Sequence, residues 1–381
     1  MTSLLEMEGA VDSCTTLFMA RLAEFASANK PIDLGAWLQY YAFDVVGELT
    51  FDLKLGFLDK GADVNGIMAA IQILLAYANM CGQVPYMHRF LLGNPLWNYL
   101  IPGMENWNEV LNFTLKAINS RGSIKRDDEE LNAEEGGPDG SAGKDQLSRW
   151  YAIKLADPSK LSTRDIVVHT SANIFAGSDT TAIILRGIIY FLCNNPSAMS
   201  RVVQEITSAD TAGHLSNPIR YKESTTHLPY THAALKETMR IHPSVGLLLE
   251  RHVPPGGATI CSQHIPGNTV VGINAWVLHH DAAVFPDPGA FRPERWLPQE
   301  SSEERLREME ASFFAFGAGA RTCIGKNISL LEMAKVVPQL LREFEVELAE
   351  PEREWRVKNH WFVQQEGVVC RLKRRGRGTK V

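Results

Sequence analysis

The residues whose types and spacing could do chemistry are concentrated in one stretch, Phe313 to Met333, which reads FFAFGAGARTCIGKNISLLEM. An apolar entry leads into a glycine-rich loop that carries a single cysteine, Cys323, just before a helical pattern begins. The N-terminus of a helix and a neighbouring cation, Arg321, both favour the thiolate form of such a cysteine. Gly319 and Gly325 can adopt positive φ angles or let a flat ligand approach the backbone. The stretch therefore predicts a thiolate held at the mouth of a tight loop.

A lone cysteine in such a loop has few uses as a ligand. Because no second cysteine stands at CxxC spacing, Cys323 is a poor zinc or iron–sulfur ligand. It suits a single axial bond to a haem iron, with Arg321 facing a propionate and Phe316 packing beneath the ring. The alternative is a buried structural cysteine in a glycine-rich turn, which is the commoner role of an isolated cysteine.

A long helix is predicted from about Ser162 to Asn194, with Ser162 or Thr163 as its N-cap. Apolar residues cover most of its faces, which is typical of a helix in the middle of a large protein. The charged residues along it argue against a membrane span. We therefore expect this helix to lie in the core.

The middle of that helix reads AGSDTT, at 176–181, and carries residues that are costly in a buried helix. A glycine and two threonines lower helix propensity, and a buried aspartate is unfavourable unless it is paired. Costs gathered at one place indicate a functional site. Ala176 and Thr180 share a helix face, Gly177 allows a groove, and Asp179 beside Thr180 could form a short proton relay. The open alternative is a helix kink in which a threonine hydroxyl bonds the carbonyl four residues earlier.

Weaker motifs follow in the second half of the chain. Glu237 and Arg240 lie three positions apart on a helix predicted from Leu228 to His242 and can pair on one face. Arg251 follows an apolar run, in a region of short predicted strands. Proline-rich turns then lead to FRPERW at 291–296. Each of these motifs alone is common and carries little weight.

The remaining segments predict a scaffold that is mainly α-helical with a small β component. Asp33 is a plausible N-cap for the second helix. Residues 121–148 are charged, rich in glycine and nearly free of apolar side chains, so they predict a disordered surface loop. Short strands are expected in 247–273 and 345–372. The other predicted helices cover about 1–30, 33–50, 64–80, 104–120, 197–208 and 326–344.

Composition limits the class of protein. The 381 residues are 45% hydrophobic, enough for a sizeable core, and the net charge of −6 gives no reason to expect a nucleic acid partner. Six cysteines without paired spacing fit a reducing compartment. The sequence shows no signal peptide and no uninterrupted apolar run of membrane-spanning length, so by itself it predicts a cytoplasmic or undetermined location.

Four motifs in order, AGSDTT (176–181), ETMR (237–240), FRPERW (291–296) and FAFGAGARTCIG (314–325), carry a family resemblance. The chain resembles the cytochrome P450 family of haem-thiolate monooxygenases, and in detail its fungal secondary-metabolism members. The resemblance covers nearly the whole chain and implies one domain of cytochrome P450 fold over residues 1–381. It implies heme b as cofactor. The cofactor-binding residues that it implies, or that the loop and helix patterns above suggest, are Cys323 as the proximal iron ligand, Arg321 and Arg251 at the propionates, and Phe316, Gly319, Gly325, Ala176 and Gly177.

The resemblance also implies a function. A lipophilic small molecule would receive one oxygen atom from O2, with electrons passed singly from NADPH through a cytochrome P450 reductase. Asp179 and Thr180 correspond to the acid and alcohol that help deliver protons during oxygen activation. Glu237, Arg240 and Arg295 correspond to a buried structural triad behind the cysteine loop. Full-length members are expected at the endoplasmic reticulum membrane.

The front of the chain departs from the family pattern. Residue 1 falls about a quarter of the way into the usual chain, and no tryptophan is followed by an arginine four residues later. We therefore expect a fold truncated at its N-terminus, without the anchor, the first helices and part of the haem cradle. Two alternatives stay open: an inactive or haem-deficient member of the family, and a haem-thiolate rearrangement enzyme that needs no reductase. The Asp179–Thr180 pair argues against the second alternative.

Overall fold

A computed structural model describes residues 5–94, 109–120 and 145–376, and most of these residues are helical. Short 3-10 turns cover Val64–Gly66, Pro85–Arg89, Pro293–Trp296 and Gly319–Arg321. The helices, in chain order, are α1 Glu8–Ala28, α2 Leu34–Phe51, α3 Phe57–Lys60, α4 Ile67–Gln83, α5 109–120, α6 Gln146–Ala156, α7 Thr163–Asn194, α8 Pro196–Thr211, α9 Tyr221–His227, α10 Pro229–Ile241, α11 Ala275–His279, α12 Glu303–Ala311 and α13 Lys326–Glu343.

The β component consists of small antiparallel sheets. One sheet has the order β1-β9-β6, and the pairs β2-β5, β3-β4 and β7-β8 form two-stranded sheets. The three-stranded sheet joins distant parts of the chain, since Ile32 pairs with Cys370. The strands are β1 Ile32–Asp33, β2 Leu249–His252, β3 Ala258–Ile260, β4 Gln263–Ile265, β5 Val270–Ile273, β6 Phe344–Leu348, β7 Arg356–His360, β8 Phe362–Glu366 and β9 Val369–Arg374.

Helix α7 is the central element of the fold, as predicted. It begins with a capping box, in which Ser162 Oγ accepts from Asp165 N at 3.2 Å and Asp165 Oδ2 accepts from Ser162 N at 2.9 Å. Such reciprocal bonds satisfy two amides that the helix start would leave unpaired. Further along, α7 packs against α2, α10 and α13, and its residues from Ser178 to Ile189 are almost all buried. The predicted cap and the interior position of this helix are both confirmed.

Helix α2 lies directly against α7 and is also positioned by its cap. Asp33 Oδ1 accepts from Ala36 N at 3.0 Å, which confirms the predicted N-cap. The contact between the two helices is close: a Cβ added to Gly177 of α7 would stand 2.8 Å from Val46 Cγ2 of α2. Gly177 therefore allows the backbones to approach each other.

The predicted loop over 121–148 needs one correction. Residues 121–144 lie outside the described part of the chain, as do 104–108 of the predicted helix that ends at residue 120. Asp145 to Ser148 belong instead to the start of α6. Asp145 is its N-cap and accepts from Ser148 N at 2.7 Å. The cap offsets the polar character of these residues, which had suggested a loop.

Two segments of the described chain, Val64–Gln83 and Thr163–Asn194, are long and apolar enough to cross a membrane. This judgement considers only length and composition. The most apolar window of Thr163–Asn194 is 67% buried inside the protein, against 33% for Val64–Gln83. A core helix passes the same test, so both segments are weak indications of a span. The first segment passes because α4 continues to Gln83, beyond the end expected from the sequence.

Candidate active site

A cavity of about 190 Å³ lies between α7 and the cysteine loop. The loop contributes Cys323, Arg321 and Phe316 to its lining, α7 contributes Thr180, and strand β2 contributes Arg251. These five residues, drawn from three distant parts of the sequence, were all predicted to belong to one site, and they line this single cavity. Most of the remaining lining is apolar.

The cysteine loop is held by backbone hydrogen bonds. Cys323 N donates to Phe316 O at 2.8 Å, which closes the loop on itself. Within it, Gly317 N donates to Phe314 O at 2.9 Å. Cys323 is exposed, so the alternative of a buried structural cysteine is wrong. The loop presents a thiol on an open surface that faces the cavity.

The glycines of the loop have different roles. Gly319 has a φ of 66° and open space where a side chain would stand, so the loop needs it for backbone conformation alone. Gly325 precedes α13, and a Cβ added to it would lie 3.9 Å from Cys323 Sγ. The backbone at Gly325 is therefore next to the sulfur, at the start of a helix whose N-terminus favours negative charge.

The two arginines of the cavity are available to bind anions. Arg251 and Arg321 are both exposed, and no ion pair within the described residues links either of them to a carboxylate. Arg251 Nη1 donates to the carbonyl of Glu250 at 2.6 Å. One thiol with two such guanidinium groups around one slot fits the donor set that an iron porphyrin with two propionates requires.

The sequence left open whether a threonine hydroxyl on α7 bonds the carbonyl four residues earlier, and the structure contains such a bond. Thr180 Oγ1 donates to Ala176 O at 2.7 Å, one turn earlier, while the residue also lines the cavity. Ser244 Oγ donates to Thr180 O at 2.8 Å and holds the helix from the other side. Ala176 and Gly177 are not among the lining residues, and Gly177 faces Val46.

Asp179 faces a different side of α7. Its carboxylate accepts from Gln39 Nε2 and, at 3.2 Å, from Gln364 Nε2. Gln39 in turn accepts from Arg186, whose Nε donates to Gly35 O at 2.8 Å. Burial raises the pKa of Asp179 to about 6, against the opposing charge of Arg186. The carboxyl group is therefore half-protonated near pH 6, and about a tenth of it keeps its proton at pH 7.

No hydrogen bond joins the Asp179 carboxylate to the Thr180 hydroxyl in the described chain. The two side chains leave the helix in different directions, one toward α2 and β8 and the other toward the cavity. A proton passing between them therefore needs a bridging water or a change of rotamer.

Sequence reasoning missed the residues that hold Asp179. Arg186 was noted only as an argument against a membrane span, and Gln39 and Gln364 were not singled out. One signal was present in α2, where Gln39 stands alone among Trp37, Leu38, Tyr40 and Tyr41. A single amide inside an aromatic helix requires a buried polar partner.

The predicted triad lies behind the cysteine loop, and its charged groups are hydrogen-bonded to one another. Glu237 Oε1 accepts from Arg240 Nη2 at 2.8 Å and from Arg295 Nε at 3.0 Å. Glu237 Oε2 accepts from Arg240 Nε at 2.9 Å and from Trp296 Nε1 at 2.8 Å. Burial lowers the pKa of Arg295 despite its contact with Glu237. The cluster connects α10 to the FRPERW segment in the protein interior.

The burial of Asp179 predicts a pH-dependent stability. Its pKa is raised from 3.8 to about 6, so between these values the unfolded chain has lost a proton that the folded chain keeps. Stability should fall as pH rises through this window, and the loss is complete above it. Asp179→Asn removes that loss. Relative to the wild type, the free energy of unfolding of the variant should rise by on the order of 3 kcal/mol between pH 4 and pH 7. Urea unfolding at each pH measures it.

Asp165 provides the control for this titration. It is exposed, and its hydrogen bonds from Ser162 lower its pKa. Asp165→Asn should therefore lose stability relative to the wild type as pH rises toward the ordinary pKa of a carboxyl group, which is the opposite sign, and the difference should stay nearly constant at higher pH. A difference between Asp179→Asn and the wild type that stays constant from pH 4 to pH 7 would contradict the assignment.

The helical fold and the cavity opposite α7, with the Cys323 thiol in its lining, are together those of a haem-thiolate oxidoreductase. Comparison with known families agrees: the family described as Cytochrome P450 matches residues 1–370. This chain belongs to the cytochrome P450 family, and the predicted family and fold class are confirmed.

Fungal proteins are similar over the whole chain. The cytochrome P450 monooxygenase cicH of Emericella nidulans is 39% identical over 383 residues, covering 100% of this chain and 73% of the relative. Pisatin demethylase of Fusarium vanettenii is 37% identical over 373 residues, covering 96% and 68%. The monooxygenase ACRTS1 of Alternaria alternata is 35% identical over 379 residues, covering 98% and 96%. The predicted enzyme class, a monooxygenase of the oxidoreductases, is confirmed.

Proposed function

We propose that this P450 inserts one oxygen atom from O2 into a lipophilic small molecule of secondary-metabolite type. Electrons would come from NADPH through a cytochrome P450 reductase. The observation that carries the proposal is the cavity in which the Cys323 thiol and the Thr180 hydroxyl come from opposite walls. That arrangement provides a metal ligand on one side and a hydroxyl group on the other.

The residues present fit heme b. Cys323 would supply the thiolate that binds the iron, Arg321 and Arg251 would bind the propionates, and Phe316 would pack against the ring. When bound, the haem would supply oxygen activation, which the Cys323 thiolate would favour by donating electron density. Gly319 and Gly325 contribute by shaping the loop and by bringing its backbone close to the sulfur.

The chain's own acid–base groups are Thr180 and Asp179. Thr180 holds its hydroxyl at the cavity wall, bonded to the Ala176 carbonyl. Asp179 has its pKa raised to about 6, so it can both take up and release a proton near neutral pH. Gln39 and Gln364 hold the carboxylate on the far side of α7. We infer that Asp179 is the proton source and that Thr180 is the last donor before the reacting atoms.

The lining bears first on the haem and then on the substrate. Apart from the two arginines, the cysteine and a few hydroxyl groups, the cavity wall is apolar, with Ile184, Met239 and Leu249 among its residues. Such a wall suits the apolar ring of the proposed haem, and we infer that a substrate held beside that ring is lipophilic as well. The names of the fungal relatives agree with this class, since one of them is a demethylase of pisatin.

Association with the endoplasmic reticulum membrane is the location that the family favours. The observation in this chain that bears on it is the partly exposed apolar segment Val64–Gln83. Flotation of the expressed chain with microsomes, before and after a carbonate wash, tests both the location and the strength of the attachment.

Thr180→Ala tests the role of the hydroxyl. The reduced carbon monoxide spectrum should stay unchanged, because the hydrogen bonds of Thr180 within the described residues are to Ala176 and Ser244 and not to the cysteine loop. With reductase and NADPH, product formation should fall on the order of 10²-fold. NADPH oxidation should continue and release hydrogen peroxide. The measurement is the ratio of peroxide released to NADPH consumed.

Two variants control for helix effects. Thr170→Ala removes the same kind of hydroxyl bond, from Thr170 Oγ1 to Ile166 O at 2.6 Å, at a buried site outside the cavity. It should leave the peroxide ratio unchanged. Thr180→Ser should restore much of the coupling. A peroxide ratio in Thr180→Ala equal to that of the wild type would count against the relay, and an enzyme that consumes no NADPH at all would favour the rearrangement alternative.

A further inference from the structure

His279 is a fully buried imidazole that the proposed chemistry does not use. It is the last residue of the short helix α11, with 0% of its surface exposed. Its Nδ1 lies 2.9 Å from Arg240 O, and its Nε2 lies 2.8 Å from Phe314 N. Its ring also stacks on Phe313, with centroids 5.4 Å apart and planes 13° apart. One side chain thus contacts both the triad and the start of the cysteine loop.

The partners of His279 settle its protonation state. A backbone carbonyl can only accept, so Nδ1 must carry the proton that bonds Arg240 O. A backbone amide can only donate, so Nε2 must be bare to accept from Phe314 N. Burial lowers the pKa of His279 to about 4, and the charges of Arg240 and His280 act in the same direction. The imidazole is therefore neutral across the physiological range.

Each of these bonds satisfies a group that would otherwise lack a partner. Arg240 lies in the last turn of α10, where backbone carbonyls have no partner within the helix. The Phe314 amide begins the segment that enters the loop. Arg240 also returns a bond, from Nη1 to the His279 carbonyl at 2.8 Å. His279 and Arg240 therefore hold each other through two reciprocal hydrogen bonds.

Hydrogen bonds, together with the peptide unit that joins Phe316 to Gly317, form a continuous path from this pair to the backbone amide of Cys323. The Phe314 amide is bonded to His279, and the Phe314 carbonyl accepts from Gly317 N at 2.9 Å. The Phe316 carbonyl then accepts from Cys323 N. His279 thereby connects the triad to the loop by hydrogen bonds, beside the edge-to-face contact of Trp296 with Phe313.

We propose that His279 is a positioning residue for the cysteine loop, because its Nε2 anchors the Phe314 amide and so sets the path by which the loop presents Cys323. The importance of that path rests on the proposed role of Cys323 as the iron ligand. The anchor itself consists of hydrogen bonds between protein groups, so it can be tested independently of that role.

Two substitutions separate the two bonds. In His279→Gln the amide oxygen reaches the place of Nε2 and can still accept from Phe314 N, while the bond to Arg240 O is lost. In His279→Asn the amide nitrogen takes the place of Nδ1 and can still donate to Arg240 O, while Phe314 N is left without an acceptor. Both variants remove the aromatic stacking, so loss of packing affects them alike.

The first experiment uses the wild-type chain without added haem. Nitrogen-15 NMR of labelled histidine should show one ring that carries its proton on Nδ1 and does not titrate between pH 5.5 and 8. Assignment is by loss of that signal in His279→Gln. A proton on Nε2, or titration in this range, would overturn the proposal, and the assignment needs only a His279→Gln sample whose other histidine signals stay in place.

The second experiment measures amide hydrogen exchange at Phe314 in the same samples. We expect exchange to quicken about tenfold or more in His279→Asn and to change little in His279→Gln. In haem-loaded protein, the fraction of the reduced carbon monoxide complex with a thiolate spectrum should fall further in His279→Asn than in His279→Gln. Equal exchange and equal spectra in the two variants would show that the residue only fills space.

Failure of the anchor and failure of the haem assignment give different results. The tautomer and the amide exchange are measured without haem, so they test His279 alone. If both agree with the proposal while neither the wild type nor the variants form a thiolate spectrum, the anchor stands and the role of Cys323 is wrong.

Discussion

Replacing Cys323 with alanine should abolish the thiolate band in the reduced carbon monoxide difference spectrum of the purified, haem-supplemented chain. The thiol is exposed at the mouth of the loop and lines the cavity, and no other cysteine does so. An alanine at this place cannot bond to iron, so the thiolate signature has no other source in the chain. We expect complete loss of the band, with monooxygenase activity falling to background.

Cys261→Ala is the matched control. Cys261 is also exposed, but it lies in the turn between β3 and β4 and does not line the cavity. Its replacement should leave the spectrum unchanged. Survival of the thiolate band in Cys323→Ala would show that the ligand assignment is wrong. Absence of the band from the wild type would favour the inactive or haem-deficient alternative.

Neutralising Glu237 should destabilise the protein strongly. In Glu237→Gln the shape is kept but Arg240 and Arg295 lose their shared negative partner while both stay buried. Breaking a buried ion pair from one side typically costs about 3–5 kcal/mol. Because whole domains have only about 5–15 kcal/mol of stability, we expect a large shift of the urea midpoint or failure to accumulate folded protein.

An exposed ion pair provides the comparison. Glu303 and Arg307 pair at the surface of α12, with 81% and 74% of their side chains exposed. Glu303→Gln should change the unfolding midpoint little, because exposed pairs contribute close to nothing. Replacing all three triad residues with apolar side chains should recover part of the stability that Glu237→Gln loses. A loss in Glu237→Gln as small as that in Glu303→Gln would contradict the stabilising role of the triad.

The sequence predicted what depends on short-range patterns. The caps at Asp33 and Ser162 follow from residue types next to helical periodicity, and both are present in the structure. The cysteine loop and the 176–181 motif could be recognised as candidate sites from the sequence, because glycines, a lone cysteine and a buried acid are unusual or unfavourable at those places. Such costs are visible without knowing what surrounds them.

What could not be predicted depends on long-range contacts. Asp179 is held by Gln39 and Gln364, which are 140 and 185 positions away in the sequence. Glutamine is common and carries no signal until its neighbours are known. Likewise the sequence gives no sign of the role of His279, since its two hydrogen bonds are to the distant residues Arg240 and Phe314. The partner of a buried polar group is set by packing, which periodicity does not specify.

The pairing of β1 with β9 has a consequence for how the protein is made. Ile32 and Asp33 bond to Cys370 and Val369, and Gly35 N donates to Val368 O at 3.3 Å. The start of α2, against which the central helix packs, is thus completed by residues synthesised more than 300 positions later. Contacts of such separation form slowly and cannot form before the final strand leaves the ribosome. During synthesis the start of α2 therefore stays without its β9 partner, with the apolar surface that β9 covers open to chaperones and to aggregation. Production of folded enzyme should therefore depend strongly on the speed of translation and on chaperone supply.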